Sequence, residues 1–260
     1  MNINKSATSA SESTPEYSMV SPGNYDTDPD QISTLVNQLA SVTASEAVSL
    51  DMSDANLSKY GLKNPANTFS CTFNGKVYTL LFGNTETDSG TENIYVMLQG
   101  RNIIYKIATS SLSFYNWNAS NLVSRLLFLD NIDTVKTLTV TIDSKSYQFN
   151  LSGTDDKLKV IYNSKTLNTS YFRNYYEDVL SNQVEDMATK PANGKVVCTV
   201  KVDYRSSSKA STTMQFTQID DRRLFWQING KGNFYILRTT VDKLISDTKL
   251  IAANKAVATS

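Results

Sequence analysis

A chain of 260 residues with 40% hydrophobic side chains can hold one large domain or about two or three small ones, each with a real core. Its 25 basic and 25 acidic side chains cancel, so no net field favours nucleic acid or anionic lipid. Histidine is absent, which removes Ser-His-Asp and Cys-His catalysis, histidine-ligated zinc, the facial iron triad and blue copper.

Residues 1–27 are rich in Ser and Thr, carry Pro15 and Pro22, and hold few large apolar side chains. That is the composition of a disordered linker. No window approaches the roughly 18 apolar residues of a membrane span, and no signal-peptide core is present. Met1 followed directly by a linker reads as a chain shortened of its anchor or signal; a cytoplasmic protein with a flexible start is the alternative.

Order is expected from Asp28. Asp28-Pro29-Asp30 supplies an N-cap acceptor, a first-turn proline and a dipole-compatible carboxylate. Ile32, Leu35, Val36 and Leu39 follow at helical spacing. Asp54 is expected to cap a short helix through Tyr60, closed by Gly61 before Pro65.

The first β unit follows. Asn74-Gly75 predicts a hairpin between 69–73 and 77–82. A polar loop over 84–93 leads to a second hairpin turning near Gln99-Gly100. Two helical stretches come next, one near 110–115 and one capped near Asn118 that carries Leu122, Val123, Leu126 and Leu127. A second unit begins near Asp133. Leu138, Val140 and Ile142 alternate, Asp143-Ser144 turns, and Tyr147, Phe149 and Leu151 alternate on the return. Residues 158–162 with a turn near Asn163-Ser164 make a second hairpin. Phe172, Tyr175, Tyr176, Val179 and Leu180 then form a helical stripe.

The third unit opens after the break at Pro191-Ala192-Asn193-Gly194. Val196, Cys198, Val200, Val202 and Tyr204 alternate, Asn229-Gly230 turns a hairpin, and Thr240 is expected to cap a helix bearing Val241, Leu244 and Ile245. Parts of the first and third units echo one another. Gly100 and Gly230 fall in register, as do Tyr105 and Tyr235, which reads as an internal repeat. The expected fold is α+β, with tandem antiparallel β-hairpin units each followed by a helix packed on the sheet. The boundaries are a disordered linker at 1–27, an N-terminal helix plus the first unit at 28–130, the second unit at 131–190, the third at 191–251, and a tail at 252–260.

Candidate chemistry weighs lightly against packing. Asp26, Asp28 and Asp30 mimic the alternating carboxylates of a calcium loop but lack its turn glycine and distal glutamate, so capping explains them. Glu86, Asp88 and Glu92 could coordinate a cation from a solvated loop. Arg222-Arg223 beside Phe225 and Trp226 could stack on a sugar or base, whereas a cross-strand pair is the simpler reading. Trp117 reads as a hinge anchor between units, and the 172–180 aromatic stripe as sheet packing. Gly230-Lys231-Gly232 sits in a hairpin turn, where a phosphate loop would not. Cys71 and Cys198 read as small buried hydrophobes, not as a disulfide or reactive thiols. Sequons at Asn56, Asn118, Asn150 and Asn168 matter in a glycosylating host. No catalytic, cofactor-binding or metal-ligating residue is singled out, and no cofactor is expected.

Leu57-Ser58-Lys59-Tyr60-Gly61-Leu62-Lys63-Asn64-Pro65 carries a family resemblance. With Gly75-Lys76-Val77-Tyr78-Thr79-Leu80, Phe82-Gly83-Asn84, Leu122-Val123-Ser124-Arg125 and Phe128-Leu129, it resembles a bacterial domain-of-unknown-function family, DUF 4340. The resemblance covers roughly residues 28–200. It implies extracytoplasmic proteins similar to the auxiliary components of gliding-motility-type ABC transporter systems, tethered to the outer face of the membrane by an N-terminal segment. The family brings no established catalytic residues. The expected function is a non-enzymatic extracytoplasmic binding or scaffold module, the soluble part of a membrane-anchored cell-envelope protein. Its partner would be an unidentified envelope protein, with a transporter component among those the resemblance implies. No nucleic acid is expected, and membrane contact would run only through the missing anchor. The alternative is a carboxylate-dependent enzyme acting on envelope carbohydrate, which a clustered pair of buried acids in a Tyr/Trp-lined groove would favour.

Overall fold

The computed structural model describes residues 2–5, 17–21, 25–73, 75–126 and 128–258. The chain forms two compact units, Met1–Asp28 with Ala119–Ser260, and Pro29–Asn118. Within the span expected to be a disordered linker, the described residues form three short strands, β1 (Asn2–Lys5), β2 (Tyr17–Ser21) and β3 (Tyr25–Asp26). They pair antiparallel in a small sheet. Backbone pairing needs only the amide groups that every such residue carries, so a polar composition does not forbid it.

In the unit spanning 29–118, α1 (Pro29–Ala40) starts on the expected proline and buries Ile32 and Leu35. Strand β4 (Glu46–Ser49) precedes α2 (Asp54–Lys59). The cap of α2 is Ser53, whose side chain accepts from the Asn56 N–H, so the cap lies one residue earlier than Asp54. A four-strand meander follows: β5 (Asn67–Phe73), β6 (Lys76–Asp88), β7 (Thr91–Leu98) and β8 (Ile104–Ala108). The sheet order is β4-β8-β7-β6-β5. Phe73 stands opposite Lys76, with Gly75 at φ +74°; Asn74 lies outside the described residues. The core gathers Phe82, Ile94, Val96, Ile104, Ile107, Leu112 and Phe114.

Two expectations fail in this unit and just after it. The polar loop expected over 84–93 is a β-ribbon: Thr85 pairs with Ile94 and Asp88 with Thr91, turning at Ser89 (φ 50°) and Gly90 (φ 82°). The helices expected near 110–115 and after Asn118 are 3-10 turns over Thr109–Ser111, Ser113–Asn116 and Ala119–Asn121. Leu122 and Val123 are buried without an α-helix, held instead by backbone bridges from Thr27 to Val123 and from Leu126 to Gln183. Leu127 lies outside the described residues.

The larger unit carries a second meander, β9 (Val135–Ile142), β10 (Lys145–Ser152), β11 (Lys159–Tyr162) and β12 (Lys165–Thr166), followed by α3 (Thr169–Leu180). After β13 (Asp186–Met187) comes a third: β14 (Val196–Tyr204), β15 (Thr212–Gln218), β16 (Arg223–Ile228) and β17 (Lys231–Leu237), followed by α4 (Arg238–Ala252). Helix α4 starts at Arg238 and has no side-chain cap, so Thr240 lies inside it. These segments do not form two separate sheets. Strand β9 pairs antiparallel with β14, and the order β12-β11-β10-β9-β14-β15-β16-β17-β13 runs through nine strands.

The joint is apolar on one face, because Leu138, Val140 and Ile142 stand opposite Val202, Val200 and Cys198. All six are buried. The same row continues through Phe216, Trp226 and Phe234. Phe149 packs against Phe172 at 5.3 Å between ring centres, tying the sheet to α3. The Tyr175 and Thr248 hydroxyls meet at 2.8 Å, tying α3 to α4. Antiparallel pairing in both large sheets, with helices following the second and third meanders, is the α+β architecture read from the hairpin signals.

Candidate functional site

Two of the segments that carry the family resemblance, 57–65 and 82–84, form one interlock. Tyr60 caps the C-terminus of helix α2, and Gly61 follows at φ +73°, the left-handed turn that lets the chain leave a helix. Leu62 then drops into the core at 3% exposure. Against this turn lies Phe82-Gly83-Asn84, where the β6–β7 register shifts between Phe82 and Thr85. The Asn84 N–H donates to the Tyr60 carbonyl at 2.9 Å, and its Nδ2 donates to the Lys59 carbonyl at 3.2 Å. Neither glycine has room for a side chain. A Cβ on Gly83 would sit 2.0 Å from the Tyr60 oxygen, and one on Gly61 would sit 2.3 Å from Asn84 Oδ1. The Tyr60 ring packs edge-on against Tyr95 at 4.6 Å.

A charged cluster adjoins this turn on the same sheet. Tyr95 donates its hydroxyl to Glu86, and Lys106 Nζ lies 3.3, 3.4 and 3.5 Å from Glu46, Glu86 and Asp88. Burial, with the bond to Glu86, pushes the Tyr95 hydroxyl up to about 12. The hydrogen bond to Glu46 leads those that hold the Lys106 ammonium above its ordinary value, against a lesser effect of burial. Glu86 and Asp88 thus already serve a lysine. Glu92, paired with Thr87, accepts from Thr109 Oγ1 at 3.0 Å instead. The three acids singled out from the sequence do not converge, and the described residues hold no group of three acidic or thiol side chains placed to bind a metal.

The larger unit holds the pair of buried acids on which the enzymatic alternative turns. Asp178 of α3 and Asp247 of α4 are 4% and 6% exposed. Lys243 Nζ joins them at 2.6 and 2.8 Å. Burial chiefly drives the Asp247 carboxyl above its ordinary range; the Lys243 bond opposes this, and a hydrogen bond with Asp178 adds to it. Their surroundings are helix interface: Tyr175 is fully buried, and the Asn182 side chain donates back to the Asp178 and Val179 carbonyls. Two acids bridged by an ammonium between packed helices form a clasp that ties α3 to α4.

A second tyrosine–acid cluster closes the far end of β14. Tyr204 donates to Asp130, and the Thr212 hydroxyl lies 2.7 Å from its oxygen. Lys209 also bonds Asp130 and lies 3.9 Å from the centre of the Tyr204 ring. Burial, with the bond to Asp130, pushes the Tyr204 hydroxyl up to about 12.

Arg222 and Arg223 line an open concavity of about 520 Å³ with Asp220, Asp221, Tyr235 and Leu237. Phe225 and Trp226 do not take part, since both are buried in the core. Arg223 is held by Asp220 at 2.7 Å and lies 5.5 Å from the centre of the Tyr235 ring, a diagonal neighbour on the next strand, its direct partner there being Leu237. Its guanidinium holds the Asp220 carboxyl below the usual range.

The other sequence candidates fall into structural roles. Trp117 is half-buried just before the boundary at Asn118. Phe172, Tyr175, Tyr176 and Val179 are buried, as packing predicts. Asn168 caps α3 by accepting from the Tyr171 N–H, and Asn56 donates to Ser49 and to the Asp51 carbonyl. Gly230-Lys231-Gly232 lies at the β16–β17 turn. Both cysteines are free; Cys198 is buried, which pushes its thiol up to about 12, whereas Cys71 is half-exposed, less buried than its spacing suggests. Sequence reasoning missed Asp178, Lys243 and Asp247. Asp178 lies three residues after Tyr175, and Asp247 three after Leu244, so charges placed on apolar stripes were the available signal.

No curated protein and no solved structure matches the chain. The family model described as "Domain of unknown function (DUF4340)" matches residues 18–197, which include the Tyr60–Asn84 interlock, and the chain belongs to that family.

Proposed function

We propose that the chain is a non-enzymatic binding or scaffold module of the cell envelope, working outside the cytoplasm as the soluble part of a membrane-anchored protein and built from three tandem meander modules. The observation that carries the proposal is the use to which its signature residues are put. Tyr60, Gly61, Gly83 and Asn84 spend their chemistry on one another, through a 2.9 Å backbone bond and two glycines with no space beside them. Residues that define a family by packing define a frame, and a frame suits presentation of a surface. The envelope setting, and a transporter component as partner, are what membership of the family suggests.

The buried pair Asp178 and Asp247 gives the carboxylate-dependent alternative a foothold. A glycoside hydrolase needs two carboxyls facing a sugar across a cleft, whereas these face a lysine across a helix contact. Incubating the chain with peptidoglycan and envelope polysaccharide, and analysing released fragments by mass spectrometry, tests the choice. No release is expected. Release that disappears in Asp178→Asn or Asp247→Asn would establish the enzyme and overturn the scaffold.

A further inference from the structure

The two larger sheets have four edge strands, and three of them are guarded. β12 and β13 are two residues long and carry Lys165 and Asp186, and β4 is four residues long, bears Glu46 and is broken by a register shift. Short length, charge and bulges are the ordinary devices that stop a sheet from recruiting another strand. β5 has none of them. It runs seven residues, Asn67-Thr68-Phe69-Ser70-Cys71-Thr72-Phe73, without a charge or proline, and its pairing with β6 continues without a register shift. Among the described residues it pairs with β6 alone. Thr68, Ser70 and Thr72 are exposed, and beyond them Val77 of β6 is 63% exposed on the same face.

We infer that β5 is a self-association edge, at which a second copy of this chain adds its own β5 antiparallel to extend the sheet. The sequence of the strand favours a copy of itself as occupant. With Ser70 on the two-fold axis, Thr68 stands opposite the second copy's Thr72, and Phe69 opposite its Cys71. Threonine then meets threonine and an aromatic ring meets a thiol, both favourable cross-strand neighbours. No charge meets its own image, which is the usual obstacle to self-pairing. Alternate residues of an edge strand turn their N–H and C=O groups outward. This register opposes even-numbered residues to even-numbered ones, so whichever set points outward finds its counterpart. One strand pair covers less than the roughly 1,600 Å² of a standard interface, so the dimer is weak and concentration-dependent. The inference is independent of the envelope reading.

Sedimentation equilibrium of the whole chain, carried towards millimolar concentration, is expected to show a monomer–dimer equilibrium. Ser70→Lys places like charges about 5 Å apart across the axis and should raise the dimer Kd at least about tenfold. Ser146→Lys, on the exposed face of β10, should leave it unchanged. Because paired Cα atoms about 4.5–5.5 Å apart fall within disulfide reach, Ser70→Cys in a Cys71→Ser background should cross-link in air. Ser146→Cys in that background should not. A monomer at every concentration overturns the inference and leaves the edge to a different occupant. So does a dimer that Ser70→Lys does not weaken and Ser70→Cys does not trap.

Discussion

Replacing Gly83 by alanine puts a methyl group 2.0 Å from the Tyr60 carbonyl oxygen. That oxygen belongs to the backbone and cannot rotate away. To regain a contact of about 3 Å, the turn after α2 and strand β6 must part by about 1 Å. The bond from the Asn84 N–H to that same oxygen, now 2.9 Å, then stretches out of hydrogen-bonding range. Overpacking of this kind costs about 1–3 kcal/mol. The lost backbone bond adds about 1 kcal/mol, for a total of about 2–4 kcal/mol. Gly100→Ala is the comparison. Its φ of +80° strains an L-residue, a cost absent at Gly83, but nothing lies within 4 Å of the new Cβ. It should lose only the conformational term, about 1 kcal/mol. Hydrogen exchange read by mass spectrometry on peptides covering 76–98 measures the opening free energy of this sheet directly. If Gly83→Ala falls within about 0.5 kcal/mol of Gly100→Ala, the glycine is not holding the interlock, and the structural reading of the signature residues fails with it.

The Asp178–Lys243–Asp247 clasp and the Cys198 thiol each yield a measurable expectation. Lys243→Met leaves two buried carboxylates without their counter-charge; breaking such a pair costs about 3–5 kcal/mol, discounted to about 2–3 because the Lys243 side chain is 40% exposed and screened by water. Urea titration at pH 7 checks this, and a loss under about 0.5 kcal/mol would mean that water already replaces the ammonium. Because burial raises the folded value of the Asp247 carboxyl, the folded protein binds that proton more tightly than the unfolded chain. Its contribution is therefore complete below 3.8 and lost as pH rises through the folded value, so Asp247→Asn should flatten the stability profile above 3.8. Equal pH slopes in wild type and variant would remove Asp247 as the titrating group. Cys198→Asp should destabilise the nine-stranded sheet by about 3–5 kcal/mol and Cys198→Ser by about 1–2. The native thiol should resist alkylation, and its rapid labelling would place Cys198 on the outer face.

Hairpins were legible because they depend on residues within a few positions of one another. Asn229 and Gly230 adopt φ 51° and 74°, the left-handed pair that an Asn-Gly turn requires. The strand faces were legible for a similar reason: alternation of Val196 to Tyr204 matches burial at Cys198, Val200, Val202 and Tyr204. The 84–93 ribbon escaped because its residues lie mostly in solvent, so no apolar alternation marks them. Its one signal was Ser89-Gly90, a turn that polar flanks disguised as loop. Leu122 and Val123 misled in the opposite sense. Their spacing suits a helix, but neighbouring backbone bridges bury them without one. The union of the second and third meanders was invisible because β9 and β14 lie far apart in sequence, and either could have capped a sheet of its own.

That union also explains why the buried acids stand where they do. Once β9 and β14 pair, the helices that follow the second and third meanders must cover one continuous sheet, and α3 and α4 come side by side. The Tyr175–Thr248 hydroxyl contact and the Lys243 bridge lie along this helix seam. A purely apolar seam would let one helix slide on the other by a turn at little cost. An ammonium seated between two acids permits one register alone, because any slip strands a buried charge. The clasp thus restricts how the two meander modules join. If so, replacing Asp178, Lys243 and Asp247 together by Leu, Met and Leu should preserve or raise stability while loosening that register. The expected signature is unchanged or higher urea resistance, with broadened methyl resonances in α3 and α4. A triple variant that is less stable yet equally well ordered would refute the argument, because the clasp would then be a source of stability and not of specificity.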